Sequence, residues 1–489
     1  MKHQRNFAII LSIFAIIFSG CNSKQATNDS APPNIVYILA DDLGIGDLGC
    51  YGQSIIKTPN IDQLAANGMQ FTNHYSGSTV CAPSRSVLMT GQHTGHTFIR
   101  GNKEYLPEGQ EPLIADAFTV AEMLKEAGYA TGAFGKWGLG FVGTEGDPNK
   151  QGFDEFFGYN CQRVAHRYYP EYLWHNDQKV FLEGNDWSHT VTYGPDVIHK
   201  KVLDFIDTNK DKPFFLYYPS TIPHAELLVP EGDEFLKQYL GRFEETPYTG
   251  GNVENQKTAA YGPDLVIAGY SPQEHPKATY AAMVARLDKQ VGEVVSKLKE
   301  LGLEDNTIIL FASDNGIHKE GGIDPEDFNS NGIYRGAKRD LYEGGIKSPM
   351  IASWPGKIEA GTSTDLISAF WDVMPTFADI AGVDKPQNID GLSFLPTLLN
   401  MDDQEKHDHL YWEFHAQGGK QAVRQGKWKA VKLNCLVPEE TLVELYDLEK
   451  DPSETTDISS EYPEKVNELV KIMDQEHVEN DVFPFLPEN

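Results

Sequence analysis

Residues 35–42 read Ile-Val-Tyr-Ile-Leu-Ala-Asp-Asp, a continuous apolar run that ends in two acids. A run of this kind is typical of a strand buried on both faces, as the inner strands of a parallel sheet are. Similar runs predict strands over residues 214–218 and 307–312, and another strand ends at Ala133. Amphipathic helices alternate with these strands, over residues 59–68, 115–127 and 275–301. The alternation predicts an α/β fold with a mostly parallel central sheet flanked by helices.

The pattern changes near Pro396, where short strands replace the alternating helices and strands. The later segments predict a small antiparallel sheet followed by a helix: strands over residues 409–414 and 444–448, a hairpin over 421–433, and a terminal helix over 463–478. We therefore expect a main domain over residues 33–400 and a C-terminal α+β subdomain over residues 401–489. Two long irregular stretches, residues 138–194 and 230–276, are predicted to be insertions that build a substrate cleft.

Composition excludes several classes of protein. The 489 residues include 71 acids and 41 bases, and the net charge of −30 makes nucleic acid an unsuitable partner, because phosphate-binding faces are cationic. Five cysteines in a chain of this length cannot form a disulfide scaffold. Apart from the two cysteines discussed below, Cys50, Cys161 and Cys435 can form at most one disulfide among them.

The N-terminus has the pattern of a targeting sequence. Lys2 and Arg5 precede an apolar run over residues 7–18, which is too short to span a bilayer as a mature helix. Small residues then lead to Cys21, as in a bacterial lipoprotein signal, so we expect a signal peptide over residues 1–20 and lipidation of Cys21. Residues 21–32 would be a polar tether. An ordinary secretory signal with a chance cysteine is the alternative, and both place the protein outside the cytoplasm.

Acidic residues follow two of the predicted strands. Asp41 and Asp42 come after the first strand, and Asp314 and Asn315 come after the strand over residues 307–312. Ligand sites of open α/β sheets lie at the carboxyl ends of strands. These oxygen donors suit a hard cation such as Ca²⁺ or Mg²⁺, whereas the Cys/His spacing of a zinc site is absent from the sequence. The alternative is that these are turn residues without a ligand.

Residues 79–91, Thr-Val-Cys-Ala-Pro-Ser-Arg-Ser-Val-Leu-Met-Thr-Gly, contain Cys81 in the pattern Cys-x-Pro-Ser-Arg. This stretch resembles the signature of the type I, formylglycine-dependent sulfatases, in which a maturation enzyme converts the cysteine to formylglycine. The companion motifs occur in the expected order: Ala40-Asp41-Asp42, Gly135-Lys136-Trp137-Gly138-Leu139-Gly140, Pro223-His224, Ser313-Asp314-Asn315-Gly316, Arg335-Gly336-Ala337-Lys338 and Tyr342-Glu343-Gly344-Gly345. The resemblance covers essentially the whole mature chain and is to bacterial lipoprotein glycan sulfatases. The alternative for Cys81 is a small buried apolar residue.

The resemblance implies an alkaline-phosphatase-like fold and a sulfate-ester hydrolase. A hydrated aldehyde at residue 81 has two hydroxyls: one attacks sulfur, and the other then expels sulfate and restores the aldehyde. By the same resemblance, Asp41, Asp42, Asp314 and Asn315 hold Ca²⁺, with Mg²⁺ less favoured, and the cation also contacts residue 81. The main domain would then be the catalytic domain.

The resemblance also implies roles for four basic residues. Arg85 lies one helical turn after Cys81, so both side chains can face one pocket, and Arg85 would bind the nucleophile and the ester oxygens. Lys136 and Lys338 would hold the sulfate group as fixed positive charges. His224 is the expected group that protonates the leaving alcohol. For each lysine alone, the alternative is a solvated surface charge.

One position departs from the family pattern. Many members have a histidine two residues after the lysine of the Gly-Lys-Trp motif, and the family assigns to it the deprotonation of the hydrated aldehyde. This chain has Gly138 there. His93 and His96, which follow the nucleophile segment, are candidate substitutes, and we select His96. A structural role for His96 is the alternative.

Substrate selection is expected to lie in the insertions. Residues 160–169 and 172–176 combine aromatic and polar groups, including His166 and His175, and such surfaces suit sugars. Arg100 is a further candidate for substrate contact. The pattern resembles exo-acting glycan sulfatases, some of which act on galactose-type O4 sulfates, so a galactose or N-acetylgalactosamine substrate is expected. A packed Tyr/Trp-rich loop without substrate contacts is the alternative.

Two other functions remain open from the sequence. A phosphodiesterase or phosphonate hydrolase of the same superfamily shares the metal-binding carboxylates, and some of these enzymes also use formylglycine. A non-catalytic lipoprotein that binds sulfated glycan would result if Cys81 stays unconverted or Gly138 prevents turnover.

Overall fold

The computed structural model describes residues 32–105, 108–186, 189–250 and 270–485. The predicted signal peptide, Cys21 and the tether up to residue 31 lie outside the described residues. The described residues belong to one compact unit, so the boundary at residue 400 stays a prediction. None of the described helices is both long enough and apolar enough to cross a membrane.

The strands of the described residues are, in chain order, β1 (Asn34–Ala40), β2 (Met69–Phe71), β3 (His74–Tyr75), β4 (Glu104–Tyr105), β5 (Gly109–Gln110), β6 (Ala130–Lys136), β7 (Glu155–Tyr159), β8 (Tyr172–His175), β9 (Gln178–Phe181), β10 (Phe214–Pro219), β11 (Thr307–Ser313), β12 (Met350–Ser353), β13 (Thr362–Thr364), β14 (Ser368–Ala369), β15 (Leu410–Phe414), β16 (Lys420–Gln425), β17 (Trp428–Leu433) and β18 (Leu442–Asp447).

The α-helices of the same residues are α1 (Pro59–Ala66), α2 (Cys81–Thr90), α3 (Val120–Glu126), α4 (Gln162–Ala165), α5 (Gly194–Asn209), α6 (Glu234–Tyr239), α7 (Pro276–Glu300), α8 (Glu343–Ile346), α9 (Val373–Ala381), α10 (Leu395–Leu398) and α11 (Pro463–Glu476). Helix α3 is shorter than the predicted helix over residues 115–127, because Thr119 caps its N-terminus with the side-chain oxygen.

The main sheet has ten strands in the described part of the chain, in the order β13-β2-β12-β11-β1-β10-β6-β7-β8-β9. Its central strands β11, β1, β10, β6 and β7 are parallel, and β12 and β8 flank them in antiparallel pairing. The three predicted apolar strands are thus neighbours at the centre of the sheet. This arrangement confirms the predicted α/β fold with a mostly parallel sheet.

Both faces of the sheet are covered, which explains the continuous apolar run in β1. Ile35, Tyr37 and Leu39 belong to one core, and the alternate residues Val36 and Ile38 belong to the other. Helices α2, α3 and α9 contribute to the first core, and α1, α5 and α7 contribute to the second.

The stretch over residues 138–194 differs from the predicted irregular insertion. It contains β7, β8 and β9, which extend the main sheet beyond β6. The segment Glu155–Tyr159 is short and includes a glycine, so its sequence pattern does not indicate a central parallel strand. The four cysteines in the described residues, Cys50, Cys81, Cys161 and Cys435, are free thiols.

The C-terminal sheet has the strand order β15-β16-β17-β18, is antiparallel throughout, and packs against α11, as predicted. Its two faces meet different partners. Tyr411 and Val423 face a small core with Leu469 of α11, whereas Trp412 and Ala422 belong to the large core of the main sheet.

The C-terminal sheet also contacts the segment that precedes α8 and carries Lys338. Lys420 of β16 donates a hydrogen bond to the carbonyl oxygen of Arg339 at 2.7 Å. Lys429 of β17 is fully buried and donates to Oε1 of Glu343 at 2.9 Å. Burial of this ion pair joins the two parts of the chain tightly, because neither charge can be solvated.

We expect Lys429→Met to lower the free energy of unfolding by about 3 kcal/mol, because it leaves the buried carboxylate of Glu343 without its main partner. Urea denaturation measures this change. The control is Lys289→Met, which removes a half-exposed lysine that pairs with Glu234 at 3.0 Å, and we expect a change of less than about 1 kcal/mol there. Equal effects of the two substitutions would contradict the view that the buried pair of Lys429 and Glu343 stabilises the contact between the C-terminal sheet and α8.

Candidate active site

Five chemically active side chains lie at the carboxyl-end edge of the main sheet. Asp41 and Asp42 follow β1, Asp314 and Asn315 follow β11, and Lys136 is the last residue of β6. All five side chains are buried. They meet because β1, β11 and β6 are parallel and therefore end at the same edge.

Helix α2 brings the nucleophile candidate to this edge. Cys81 is the first residue of the helix and Arg85 lies one turn later, and both are buried. The Sγ atom of Cys81 lies 3.5 Å from Oδ1 of Asp41. Ser84 of the same helix donates a hydrogen bond to the carbonyl oxygen of Asp314, which ties the helix to the end of β11. The positive end of the helix dipole thus lies at residue 81, where an anion would be favoured.

Three cations pair with three carboxylates in this cluster. Arg85 Nη2 lies 2.7 Å from Oδ2 of Asp314. Lys136 Nζ lies 2.7 Å from Oδ2 of Asp41, and Lys338 Nζ lies 2.8 Å from Oδ2 of Asp42. Formal charges therefore cancel within the cluster, which is the condition for burying so many ionised groups.

His224 contacts the pair of Lys338 and Asp42. Its Nε2 atom lies 2.9 Å from Lys338 Nζ, and its Nδ1 atom hydrogen-bonds the carbonyl oxygen of Ala225. Burial, followed by the charge of Lys338, lowers the pKa of His224 well below its usual value, so the ring is neutral. In a neutral ring whose Nδ1–H donates to Ala225, Nε2 accepts the hydrogen bond from Lys338. The ring of His166 stacks on His224, with centroids 4.0 Å apart.

Burial raises the pKa of two further groups. It raises the pKa of the Cys81 thiol, although Lys136 and Lys338 act in the opposite direction. The unmodified residue is therefore a thiol and a weak nucleophile. Burial and the charge of Asp41 raise the pKa of Asp314.

The oxygen donors of the cluster fit a hard divalent cation. The side-chain oxygen of Asn315 is buried and has no hydrogen-bond partner among the described residues, whereas its Nδ2 donates to Asp42 Oδ1 at 2.6 Å. Donor atoms of Asp41, Asp42, Cys81 and His224 all lie within 4.8 Å of one another. An unpaired amide oxygen beside several carboxylates is the donor set that Ca²⁺ or Mg²⁺ uses.

Two residues near the cluster were not singled out in the sequence. His318 and Glu320 each offer a donor atom within 4.8 Å of one on Asp42. His318 is fully buried, and its ring centroid lies 5.6 Å from that of His224. Their only signal in the sequence is their position three and five residues after Asn315.

Three predicted site residues have partners outside this cluster, and their roles in the site stay predictions. His96 Nδ1 lies 2.9 Å from Oδ1 of Asp390, and its ring stacks on His93. Arg100 is buried and pairs with Glu413 at 2.9 Å. Both His96 and Arg100 line a separate cavity of about 670 Å³.

His175 on β8 is the third of these residues, and its Nε2 lies 3.2 Å from Oε1 of Glu155. The structure therefore gives His96, Arg100 and His175 partners outside the cluster. The sequence alone does not show these pairs.

Comparisons with known proteins agree with this geometry. The sequence matches the Sulfatase family over residues 33–383, and residues 332–481 match the C-terminal part of the N-sulphoglucosamine sulphohydrolase family. The N-acetylgalactosamine-6-O-sulfatase of Bacteroides thetaiotaomicron is 30% identical, and the alignment covers 97% of this chain and 99% of that protein. The human N-acetylgalactosamine-6-sulfatase is 31% identical over 76% of this chain and 67% of its own length.

A solved structure is similar across most of the chain. The crystal structure of Ps i-CgsB, also solved in complex with k-i-k-neocarrahexaose, has a TM-score of 0.73 at 29% identity, covering 91% of this chain and 92% of that chain. The family match spans the sheet, helix α2 and all the cluster residues described above. The chain therefore belongs to the sulfatase family of sulfuric ester hydrolases.

Proposed function

We propose that the protein removes sulfate from O-sulfated sugars at the ends of glycans, with a galactose or N-acetylgalactosamine residue carrying the sulfate. The observation that carries this proposal is the buried cluster in which Arg85, Lys136 and Lys338 surround Cys81 at the N-terminus of α2. Full-length similarity to an N-acetylgalactosamine-6-O-sulfatase supports the sugar class and favours the 6-position over the 4-position.

Residue 81 is the proposed nucleophile after conversion to formylglycine by a maturation enzyme. Formylglycine supplies a hydrated aldehyde, whose hydroxyl attacks sulfur where a buried thiol would not. Arg85 lies one turn from residue 81 and would bind the attacking hydroxyl and an ester oxygen. Its orientation is already fixed, because it donates a hydrogen bond to the carbonyl oxygen of Lys136 at 2.6 Å.

Lys136 and Lys338 are the proposed ligands of the sulfate oxygens. Each ammonium has three N–H donors: Lys136 uses one on Asp41, and Lys338 uses one on Asp42 and one on His224. The remaining donors can face an anion without reorientation of the side chain. Charges that are positioned in advance in a buried site are usually the largest contribution to catalysis.

Asp41, Asp42, Asp314 and Asn315 would hold a divalent cation, which we propose to be Ca²⁺, with Mg²⁺ as the alternative. Ca²⁺ accepts irregular sets of carboxylate and amide oxygens, whereas Mg²⁺ usually keeps several waters. When bound, the cation supplies positive charge that polarises a sulfate oxygen and lowers the pKa of a nearby hydroxyl.

The leaving alcohol needs a proton, and Nε2 of His224 carries none when it accepts the hydrogen bond from Lys338. Its Nε2 accepts from Lys338, and its Nδ1 hydrogen-bonds Ala225. We therefore assign donation of the proton to the pair of Lys338 and His224, where the sequence predicted His224 alone. His166, stacked on His224, would limit the rotation of that ring and border the substrate.

We propose that the protein acts outside the cytoplasm, in the periplasm or at the outer membrane. This proposal rests on the signal pattern over residues 1–20 and on Cys21 as the lipid anchor. These residues lie outside the described part of the chain.

Cys81→Ala should abolish sulfate release and leave the melting temperature nearly unchanged, because one small side chain is shortened. Ion chromatography of released sulfate and circular dichroism measure the two effects. Cys435→Ala is the matched control, since Cys435 is also a buried free thiol but lies beyond β17, and it should keep full activity. Activity of Cys81→Ala at the control level would refute the assignment of the nucleophile.

Chelation with EDTA should remove activity and lower the melting temperature, and added Ca²⁺ should restore both. A cation present at about 100 times its Kd stabilises the fold by roughly 2.7 kcal/mol. Asp314→Asn should raise the Ca²⁺ concentration required for half of the restoration. Restoration by Mg²⁺ but not by Ca²⁺ would contradict the proposed ion, and insensitivity to EDTA would contradict a metal site with exchangeable cation.

Defined monosulfated sugars test the substrate. We expect release of sulfate from terminal N-acetylgalactosamine or galactose 6-sulfate, less from the 4-sulfate, and little from internal residues. Aryl phosphate, phosphonate and phosphodiester analogues should react at least about 100-fold more slowly than the aryl sulfate. Faster hydrolysis of a phosphonate or phosphodiester would favour that alternative function. Binding of sulfated sugar without any release would favour a non-catalytic glycan-binding protein.

A further inference from the structure

Gln162 is a buried side chain that the mechanism above does not use. It is the first residue of α4 and is only 1% exposed. Neither of its two amide atoms, Nε2 and Oε1, has a hydrogen-bond partner within the described part of the chain. Burying an unpaired amide is unfavourable, so a native protein normally satisfies such a group or reserves it for a ligand.

The amide of Gln162 lies against Gly138, the position where many family members have a histidine. A Cβ atom at residue 138 would lie 1.8 Å from Nε2 of Gln162. A side chain at position 138 would therefore clash with that of Gln162, and Gln162 fills the space in front of Gly138. Gly138 also has a φ of 78°, a left-handed conformation that favours glycine.

Backbone hydrogen bonds hold this space beside Lys136. The N–H of Trp137 donates to the carbonyl oxygen of Tyr159, and the N–H of Gly138 donates to that of Asn160, both at 2.9 Å. These bonds continue the pairing of β6 with β7 past Lys136, whose ammonium is part of the charged cluster. Gln162 therefore follows β7 at the same edge of the sheet as the cluster.

A second chain of contacts runs from Gln162 to the helix that begins at Cys81. The backbone N–H of Gln162 donates to Oε1 of Gln110 at 3.1 Å, and Nε2 of Gln110 donates to the carbonyl oxygen of Lys103 at 2.9 Å. The preceding residue, Asn102, accepts a hydrogen bond from the N–H of Ala82 at 3.0 Å. Gln162 is thus tied to the N-terminus of α2 as well as to the end of β6.

We propose that the carboxamide of Gln162, which occupies the space in front of Gly138, hydrogen-bonds an oxygen of the reacting groups. This inference rests on the proposed function. Two oxygens have suitable chemistry: a sulfate oxygen of the substrate, which accepts from Nε2, and a hydroxyl on converted residue 81, which can donate or accept. An amide does not titrate near neutral pH, so Gln162 binds and orients this oxygen and does not act as a base.

The main test compares Gln162→Met with Gln421→Met. Methionine is close in size to glutamine and removes both amide atoms. Gln421 is also buried, but its Nε2 donates to the hydroxyl of Tyr411 at 2.8 Å. Gln162→Met should keep or raise the melting temperature and lower kcat/KM by about 10- to 100-fold. Gln421→Met should lower the melting temperature and leave kcat/KM per folded molecule unchanged. Unchanged kcat/KM in Gln162→Met, and equally in Gln162→Ala, would overturn the proposal.

A binding measurement identifies the oxygen. Inorganic sulfate and a monosulfated sugar are titrated calorimetrically into Cys81→Ala protein with either Gln or Met at position 162. Weaker binding with Met assigns the hydrogen bond to the sulfate group. Unchanged binding together with a lower kcat in the converted protein assigns it to the oxygen on residue 81. If neither binding nor turnover changes, the proposal is wrong.

A pair of substitutions tests the shared space without using turnover. Gly138→Ala should lower the melting temperature of the wild-type protein more than that of the Gln162→Ala variant, because the clash is absent in the variant while the backbone strain is the same. Equal losses in the two backgrounds would contradict the shared space. Absence of sulfate release by the wild-type protein would instead refute the proposed function. In that case the sulfate titration would still test the hydrogen bond from Gln162, and the stability comparison would still test its contact with position 138.

Discussion

The structure depends on the pairing of three buried carboxylates with three buried cations. Without Arg85, Lys136 and Lys338, the buried carboxylates of Asp41, Asp42 and Asp314 would have no counter-charge within the cluster. These residues come from three strand ends, a helix and a loop, so the electrostatic requirement links elements that are far apart in the sequence. A sulfate ester is an anion and would also be stabilised by fixed cations. The cations that compensate the buried carboxylates are therefore suited to bind such an anion.

The requirement extends into the C-terminal sheet. Lys338 can pair with Asp42 only if its loop stays in place, and Lys420 and Lys429 hold the segment next to that loop through Arg339 and Glu343. Because one face of this sheet also enters the large core, the site and the C-terminal region share packing as well as charge. Through this coupling the small sheet supports the position of Lys338, a proposed ligand of the sulfate group, although none of its own described residues belongs to the cluster.

The centre of the fold and the core of the site could be predicted from the sequence, because the signals are local. The apolar run of β1 followed by Asp41 and Asp42 indicates a buried strand with ligands at its end, and the spacing of Cys81 and Arg85 places both on one side of a helix. His96, Arg100 and His175 pair with Asp390, Glu413 and Glu155, and the sequence does not show such pairs, so it cannot indicate whether these residues reach the cluster. Gln162 belongs to no motif, so the sequence does not single it out. Only the structure shows that its side chain occupies the space next to Gly138.

The central claim is that a cation and the substrate sulfate are held together at residue 81 by this charged cluster. A crystal structure of the converted protein with Ca²⁺ and a sulfated sugar, with anomalous scattering recorded to locate the cation, tests it most directly. The account predicts a cation peak among Asp41, Asp42, Asp314 and Asn315, with the sulfate in contact with Lys136 and Lys338. A sulfate bound in another cavity, or a cation peak away from these carboxylates, would contradict it.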